Sequence, residues 1–252
     1  MGGLSGRVAI VTGSSRGVGR GEALALAREG AAVVLVATTM AGLEKVAGEI
    51  EEIGGTALPV ACDVSARVDV DAAVAATLDR FGRIDILVNN AQRIPMDHPF
   101  ETWTEAELRE TWESGFLGTW NFMQACFGPM KERGYGRIIN TCSMVGYLNW
   151  PGFSAYAATK EGVRALTRTV SQEWGQYGIT VNVISPAVAS DALDMLYPEG
   201  EIRDALLARF PMRRFGDPEA DIGRAVVYLA GPDASYVTGC TLNVDGGMGV
   251  VV

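Results

Sequence analysis

Residues 7–30, RVAIVTGSSRGVGRGEALALAREG, place a β-branched apolar run before a glycine-rich turn and a stretch rich in Ala and Leu. Val, Ile and Thr favour strands, whereas Ala and Leu favour helices, so this segment predicts a strand, a tight turn and a helix to about Glu29. Glycines in the turn let the backbone approach a pyrophosphate closely, and the N–H groups at the helix start favour anions. The segment therefore predicts a dinucleotide-binding turn, with the candidate residues Gly13, Ser15, Arg16, Gly17, Val18 and Gly19.

The alternation of strand-length and helix-length segments continues along the chain. Apolar runs occupy residues 7–12, 32–37, 56–61, 84–89, 137–142, 180–185 and 241–244. Helical patterns extend to about residues 29 and 53, over 66–80 and 105–131, to about 177, and over 218–230. Nearly continuous apolar strands are typical of parallel sheets covered on both faces. We therefore predict an α/β fold over residues 1–252: a single-domain, doubly wound parallel sheet of Rossmann type with about seven strands, helices on both faces and a substrate loop at about 187–215.

Composition excludes several functional classes. The chain has 252 residues and a net charge of −9, and it lacks runs of Lys or Arg, which argues against a nucleic-acid partner. No apolar run reaches the roughly 18 residues of a membrane helix, and no secretory signal is recognisable. The four Cys are dispersed and there is one His, so free thiols are expected and a His-rich metal site is not. We expect a cytoplasmic protein without a metal, a nucleic-acid partner or a membrane partner.

Residues 143–160, SMVGYLNWPGFSAYAATK, carry the candidate catalytic groups. Tyr156 and Lys160 are four residues apart and share one face of a helix. An ammonium beside a phenol favours the phenolate, and each unit by which the pKa falls corresponds to about 1.4 kcal/mol. Ser143 follows a buried strand, and ligands of α/β sheets bind at the C-terminal ends of the strands. Ser143, Tyr156 and Lys160 are therefore the predicted catalytic residues, with Tyr156 as the acid/base near a carbonyl or alcohol.

The end of the second strand indicates which nicotinamide cofactor binds. NAD-binding folds of this type usually carry an Asp or Glu there, which holds the ribose hydroxyls. This chain has Ala37-Thr38-Thr39 instead, so no carboxylate repels a 2′-phosphate. Arg16 supplies a positive charge and Thr38 a hydroxyl. The residues therefore favour NADP(H) over NAD(H).

Taken together, these motifs resemble those of the short-chain dehydrogenase/reductase family over the whole length. The resemblance includes the glycine-rich turn, Cys62-Asp63-Val64, Asn89-Asn90-Ala91, Ser143 with Tyr156 and Lys160, Asn182, Ser185-Pro186 and Asn243-Val244-Asp245-Gly246-Gly247. Within the family, the turn and the end of the second strand look like those of the ketoacyl-carrier-protein reductases, which use NADPH.

The resemblance implies a role for each matching residue. Asp63 and Val64 would contact the adenine, and Asn89, Ala91 and Pro186 would lie along the cofactor. Lys160 would bind the nicotinamide ribose and lower the pKa of Tyr156, and Ser143 would hydrogen-bond the substrate oxygen. The family also implies a homotetramer or homodimer that pairs through the helices after the fourth and fifth strands.

Two departures from the family pattern affect the predicted proton relay. Gln92 stands where the family has Gly, and Gly115 stands where it has an Asn that holds a relay water. Either the backbone carbonyl and water suffice, or the relay is rerouted, with Gln92 and Ser114 as possible substitutes. The departures leave open a second function, that of a catalytically weakened NADP(H)-binding sensor or assembly subunit.

The predicted substrate side is apolar and aromatic. The loops at the C-terminal sheet edge supply the candidate substrate residues Gln92, Tyr147, Trp150, Phe153 and Leu196. Such a lining suits a hydrophobic ketone or secondary alcohol. The alternative, equally open from the sequence, is that these side chains pack the loops onto the core. The predicted function is an NADP(H)-dependent interconversion of a ketone and a secondary alcohol by hydride transfer.

Overall fold

The computed structural model describes residues 3–93, 98–148, 150–188 and 198–249. One sheet of seven parallel strands has the order β3-β2-β1-β4-β5-β6-β7. The strands are β1 (Val8–Thr12), β2 (Ala32–Ala37), β3 (Thr56–Ala61), β4 (Ile86–Asn89), β5 (Gly136–Thr141), β6 (Ile179–Pro186) and β7 (Thr241–Val244). The prediction of a single-domain, doubly wound parallel sheet is confirmed.

Helices connect the strands and cover both faces of the sheet. They are α1 (Gly17–Arg28), α2 (Met40–Glu52), α3 (Arg67–Phe81), α4 (Glu105–Trp112), α5 (Gly118–Arg133), α6 (Val145–Leu148), α7 (Ser154–Trp174), α8 (Glu201–Leu207) and α9 (Arg224–Ala230). Short 3₁₀ turns occupy Phe100–Thr102, Gly175–Tyr177 and Pro232–Ala234. Among the described residues, none of the helices combines the length and apolar character needed to cross a bilayer.

The strands are buried on both faces, as their continuous apolar character predicts. In β1, Ala9 and Val11 join the core beneath α1 and α9, whereas Val8 and Ile10 join the core beneath α3 and α5. Side chains alternate between the faces of a strand, so a strand sandwiched between two helical layers needs apolar residues at successive positions. This packing holds the strands in register and aligns their C-terminal ends.

The predicted helix over residues 105–131 is interrupted in the structure. α4 begins with a capping box in which Thr104 and Glu107 satisfy each other's backbone N–H groups. A π-helical turn, Glu113–Leu117, then separates α4 from α5. Gly115 lies in this turn, and its carbonyl accepts a hydrogen bond from the Thr119 hydroxyl at 2.8 Å. Such turns frequently occur at functional sites, and this one faces the candidate active site.

The strand order reverses between β1 and β4, which are neighbours in the sheet. A crevice forms at the C-terminal ends of strands where such a reversal occurs, because the connections leave in opposite directions. Thr12 ends β1 and Asn89 ends β4, so the glycine-rich turn and the Asn89-Asn90-Ala91 segment meet at this point.

Candidate active site

The turn between β1 and α1 is built for close approach of a ligand. Gly13 and Gly17 both have positive φ, at 66° and 56°. A Cβ at Gly13 would lie 2.8 Å from Asn90 Nδ2, and one at Gly19 would lie 2.5 Å from the Gly13 carbonyl oxygen. In contrast, a Cβ at Gly17 would meet no protein atom within 4 Å. The turn is therefore tightly packed beneath and open above, which is the shape that a pyrophosphate on a helix N-terminus requires.

Hydrogen bonds of Asn90 and Thr12 hold the turn against the end of β4. The Asn90 amide donates to the carbonyl oxygens of Thr12 and Gly13, at 3.0 and 3.3 Å. The Thr12 hydroxyl in turn accepts from the backbone N–H groups of Asn90 and Ala91, both at 3.0 Å. This reciprocal pair holds Ala91 beside the glycine-rich turn. The sequence motif contains Asn90 but does not predict what its side chain does. The tertiary structure shows that the side chain holds the glycine-rich turn.

The side of the turn nearer β2 is rich in donors. Thr38 and Arg16 are exposed, and Ser15 packs against α2, where a Cβ at Gly42 would lie 2.8 Å from the Ser15 Cβ. The first turn of α2 contains no acidic residue, so its N-terminal dipole is not neutralised. The end of β2 and the start of α2 therefore present no carboxylate where the sequence predicts a 2′-phosphate.

Asp63 and Val64 follow β3, at the predicted adenine side. The Asp63 carboxylate accepts hydrogen bonds from the Ser65 side chain and backbone and pairs with Arg93 at 3.1 Å. These hydrogen bonds, the one from the Ser65 side chain foremost, hold the pKa of Asp63 below its ordinary value. Val64 is buried beneath α5, where its carbonyl oxygen accepts from the Asn121 amide. Asp63 is therefore a fixed anion at neutral pH.

The three predicted catalytic residues come together at the ends of β5 and α7. Ser143 follows β5, and its hydroxyl is near enough to that of Tyr156 to act on the pKa of Tyr156 in the lowering direction. The Lys160 ammonium lies 5.5 Å from the centroid of the Tyr156 ring and donates to the Thr141 carbonyl oxygen at 2.7 Å. Lys160 is itself buried, so this backbone hydrogen bond partly replaces its lost hydration.

The expectation that Lys160 lowers the pKa of Tyr156 is wrong for the protein without cofactor. Loss of hydration raises the pKa of Tyr156 to about 12, and the nearby Ser143 hydroxyl only partly offsets that effect. Burial also lowers the pKa of Lys160 to about 8. The reason is that Lys160 points its ammonium at the Thr141 carbonyl rather than at the phenol. At neutral pH the phenol is therefore protonated, which suits a proton donor.

Glu22 is a buried acid that the sequence-based predictions missed. It lies one turn after Val18 in α1, has no exposed surface, and neither of its carboxyl oxygens has a hydrogen-bond partner among the described residues. Burial raises its pKa from 4.5 to about 8, and the charge of Lys160 opposes this rise. The available signal was a carboxylate inside the otherwise uncharged run Gly21–Ala27.

A chain of buried amides and hydroxyls supports the centre of the site. Asn89 donates to the Asn140 side-chain oxygen at 2.9 Å, and Asn140 donates to the Thr167 hydroxyl at 2.9 Å. Thr167 in turn donates to the Val163 carbonyl within α7. Asn89 is therefore fixed by β5 and α7. Its amide nitrogen donates within this chain, which fixes the side chain at the C-terminal end of β4.

The predicted substrate residues are divided in the structure. Tyr147 and Trp150 pack, half-buried, against a small apolar cluster formed by Met144, Ala187, Leu206 and Phe210. Phe153 is buried, and its ring meets that of Tyr156 edge-on at 6.5 Å. Leu196 lies outside the described residues. Pro186, at the end of β6, is half-buried on the same sheet edge. Gln92 lies against Gly115, and its amide atoms are buried.

Within the described ranges, no group of three or more His, Cys, Asp or Glu side chains could hold a metal ion. All four cysteines are free thiols, and three of them are buried.

Comparisons with known proteins agree with this geometry. A family model described as enoyl-(acyl carrier protein) reductase matches residues 13–249. The chain is 39% identical to a 12alpha-hydroxysteroid dehydrogenase from Clostridium sp., and the match covers 99% of each chain. It is 37% identical to the 3-oxoacyl-(acyl-carrier-protein) reductase FabG of Vibrio cholerae, over 97% of this chain and 98% of the relative.

A solved structure shares the fold closely. The crystal structure of levodione reductase superposes with a TM-score of 0.92 and 34% sequence identity, over 97% of this chain and 98% of that one.

Proposed function

Because the chain belongs to the short-chain dehydrogenase/reductase family, we propose that it is an NADP(H)-dependent oxidoreductase that interconverts a hydrophobic ketone and a secondary alcohol. The observation that carries the proposal is the meeting of Ser143, Tyr156 and Lys160 beside the glycine-rich turn. The names of the relatives include a hydroxysteroid dehydrogenase and a levodione reductase, and these names support a carbonyl or alcohol substrate.

Each catalytic side chain has a task in ketone reduction. The bound nicotinamide supplies the hydride that adds to the carbonyl carbon. Tyr156 donates its proton to the carbonyl oxygen as negative charge develops there, and Ser143 holds the same oxygen by a hydrogen bond. Lys160 holds its ammonium 5.5 Å from the centroid of the phenol ring, where it supplies positive charge beside Tyr156 although it does not bring the pKa of the phenol below its ordinary value. In the oxidation direction, the phenolate takes the proton from the alcohol.

The preference for NADP(H) follows from charge. Arg16 and the free N-terminus of α2 both favour a 2′-phosphate, and neither Thr38 nor the first turn of α2 contributes a carboxylate that would repel it. We expect the wild-type protein to use NADPH at least about tenfold more efficiently than NADH, which corresponds to one bound-phosphate interaction of about 1.4 kcal/mol.

The test is a panel of cyclic and long-chain ketones, each assayed with NADPH and with NADH by absorbance at the nicotinamide band. Arg16→Ala should lower kcat/KM with NADPH while leaving kcat/KM with NADH unchanged. A wild-type protein that prefers NADH, or an Arg16→Ala variant with an unaltered preference, would refute the cofactor assignment.

The second candidate function, an NADP(H)-binding sensor or assembly subunit, is favoured by the two departures from the family pattern, Gln92 and Gly115. It predicts tight NADPH binding without turnover on any ketone or alcohol of the panel. Turnover that depends on Tyr156 would exclude it.

We further propose that the protein is a homodimer or homotetramer of a reducing compartment such as the cytosol. Leu108, Trp112 and Trp120 leave a partly exposed apolar line along α4 and α5, and Trp112 stacks on Phe116 at 4.4 Å. Four free thiols accord with the reducing compartment. Light scattering should give a multiple of 26.8 kDa, and Trp120→Glu should reduce that mass.

A further inference from the structure

Gln92 and position 115 compete for the same space. A Cβ built on Gly115 would lie 2.8 Å from the side-chain amide carbon of Gln92 and 2.8 Å from its amide nitrogen. Contacts below 3.0 Å are not found for real Cβ atoms, so a side chain at position 115 and this placement of Gln92 exclude each other. The absence of a side chain at Gly115 is therefore what admits the Gln92 amide.

The Gln92 amide is fixed in position, but it makes no hydrogen bond with another described residue. Its backbone follows Ala91, whose N–H is bound by the Thr12 hydroxyl. Its side-chain nitrogen and oxygen are both buried, and neither has a hydrogen-bond partner among the described residues. An amide leaves four hydrogen-bonding sites, and burying them unused is costly, so a buried water or a bound ligand must satisfy them.

The amide lies against the helix that carries the catalytic pair. The same Cβ position on Gly115 is 2.6 Å from the Thr159 methyl carbon, so Gln92 and Thr159 flank one small space. Thr159 directly precedes Lys160 and follows Tyr156 by three residues, on the first turns of α7. The Gln92 amide therefore lies against the residue that directly precedes Lys160.

Ser114, the other polar group at this point, is already committed. Its hydroxyl donates to the Glu110 carbonyl oxygen at 2.7 Å and accepts from the Arg93 backbone N–H at 3.0 Å. Ser114 therefore has no donor left for a water in the site, whereas Gln92 has two.

We propose that Gln92 is a positioning residue for proton transfer: its amide, reaching from the loop after β4 into the space above Gly115, holds the water that exchanges protons with Lys160. The amide that holds this water can come from either of two positions, residue 92 or residue 115, and we call this pair of positions the exchangeable unit. This inference rests on the proposed oxidoreductase function, and it adds a residue that supports that function.

Steady-state kinetics of variants at residues 92 and 115 test whether the amide can come from either position. Gln92→Met keeps the length of the side chain and removes the amide, and we expect kcat to fall by about tenfold with the KM for NADPH unchanged. The pH profile of kcat should also shift, because proton exchange becomes limiting. Gln92→Gly should show the same loss. The double variant Gln92→Gly with Gly115→Asn should recover kcat to within about threefold of wild type, because residue 115 then supplies the amide.

A stability cycle tests the steric part without requiring turnover. Gly115→Ala should lower the melting temperature in the wild-type background, because the new methyl meets both the Gln92 amide and the Thr159 methyl. The same substitution should cost clearly less in the Gln92→Gly background, since the amide is gone. Equal losses in both backgrounds would overturn the shared-space inference, and the cycle also shows whether each variant is folded.

The outcomes separate this inference from the proposed function. If wild type is active, Tyr156→Phe is inactive and Gln92→Met keeps the kcat and pH profile of wild type, the role of Gln92 is refuted and the function stands. A double variant no better than the poorer single variant refutes the exchangeable unit. If wild type binds NADPH but turns over no ketone or alcohol, the proposed function fails, and the positioning role fails with it.

Discussion

Two buried carboxyl groups differ in their hydrogen-bond partners: one lies near the N-terminal ends of the strands, and the other lies near their C-terminal ends. Asp85, just before β4 at the N-terminal edge, has no exposed surface and accepts hydrogen bonds from Arg7, Arg83 and the backbone N–H of Val8. Burial alone would raise its pKa, yet these hydrogen bonds outweigh burial and leave the pKa below its ordinary value. The Asp85 carboxylate is therefore charged and fully used at neutral pH.

Glu22, near the catalytic edge, is equally buried and has none of these partners. Both of its oxygens lack a hydrogen bond among the described residues, and its pKa is raised to about 8. Polar groups left unsatisfied lower the stability of a fold and tend to persist where function requires them. The difference teaches that the carboxylate at the N-terminal ends of the strands stabilises the fold, whereas the one near Lys160 has no hydrogen-bond partner in the described part of the chain.

The substitution with the largest expected effect should lower turnover without lowering stability. Tyr156→Phe removes one hydroxyl and keeps the ring that meets Phe153. We expect turnover to fall by about 10³-fold, since a general acid contributes on that order, while NADPH binding and the melting temperature are retained. Steady-state kinetics and cofactor titration check this. Turnover within tenfold of wild type would remove Tyr156 from the mechanism.

Asp85→Ala should show the reverse pattern. Removing the carboxylate leaves two guanidinium groups and a buried N–H without their acceptor, so the free energy of unfolding should fall by about 3 kcal/mol. Turnover per folded molecule should stay at the wild-type level, because Asp85 is at the edge remote from Tyr156.

Urea denaturation measures this loss, and Asp85→Asn, which keeps one acceptor oxygen, is the matched control and should lose less. The lowered pKa of Asp85 means that its contribution is present above the ordinary carboxyl pKa and disappears as the pH falls through the folded-state value. A loss in Asp85→Ala that is the same at pH 2 and pH 7 would contradict the pairing.

Glu22→Gln should stabilise the protein, with a gain that depends on pH. The unfolded chain releases the Glu22 proton near the ordinary pKa of 4.5, whereas the folded chain keeps it to about 8. Between these values the unfolded state binds fewer protons, so wild-type stability falls as the pH rises, by up to about 1.4 kcal/mol per unit.

Glutamine has no such titration. Urea denaturation of wild type and Glu22→Gln at pH 5, 6 and 7 should therefore show a difference that grows with pH. A constant difference across this range would mean that Glu22 is ionised in the folded protein at all three values.

The smallest expected effect concerns a satisfied amide of the catalytic edge. Asn90→Ala removes the hydrogen bonds to the Thr12 and Gly13 carbonyl oxygens. We expect the free energy of unfolding to fall by about 1 kcal/mol, the usual size for such a loss, and the Kd for NADPH to rise. Calorimetry of both quantities checks this. An unchanged Kd for NADPH would show that the turn keeps its shape without the hydrogen bonds of the Asn90 side chain.

Much of the fold was predictable because the strands and turns carry local signals. Continuous β-branched runs predicted the parallel sheet, and the spacing of Gly13, Gly17 and Gly19 predicted the turn that opens α1. The break at Gly115 was not predicted, because the apolar and polar pattern of residues 105–131 fits a continuous helix and the weak helix formers Ser114, Gly115 and Gly118 do not by themselves specify a π-helical turn. It depends on the contacts that Ser114 makes with the preceding turn and with Arg93.

The sequence by itself determined the family, the order of strands and helices, and the identity of Ser143, Tyr156 and Lys160 as candidates, because these depend on residue types at fixed spacings. Only the tertiary structure decided how those groups are charged and which neighbours they have. It turned Lys160 toward Thr141, left Glu22 unpaired beneath the site and placed the Gln92 amide over Gly115. Hydration and contact distance depend on residues far apart in the chain, so a linear pattern does not encode them in any one segment.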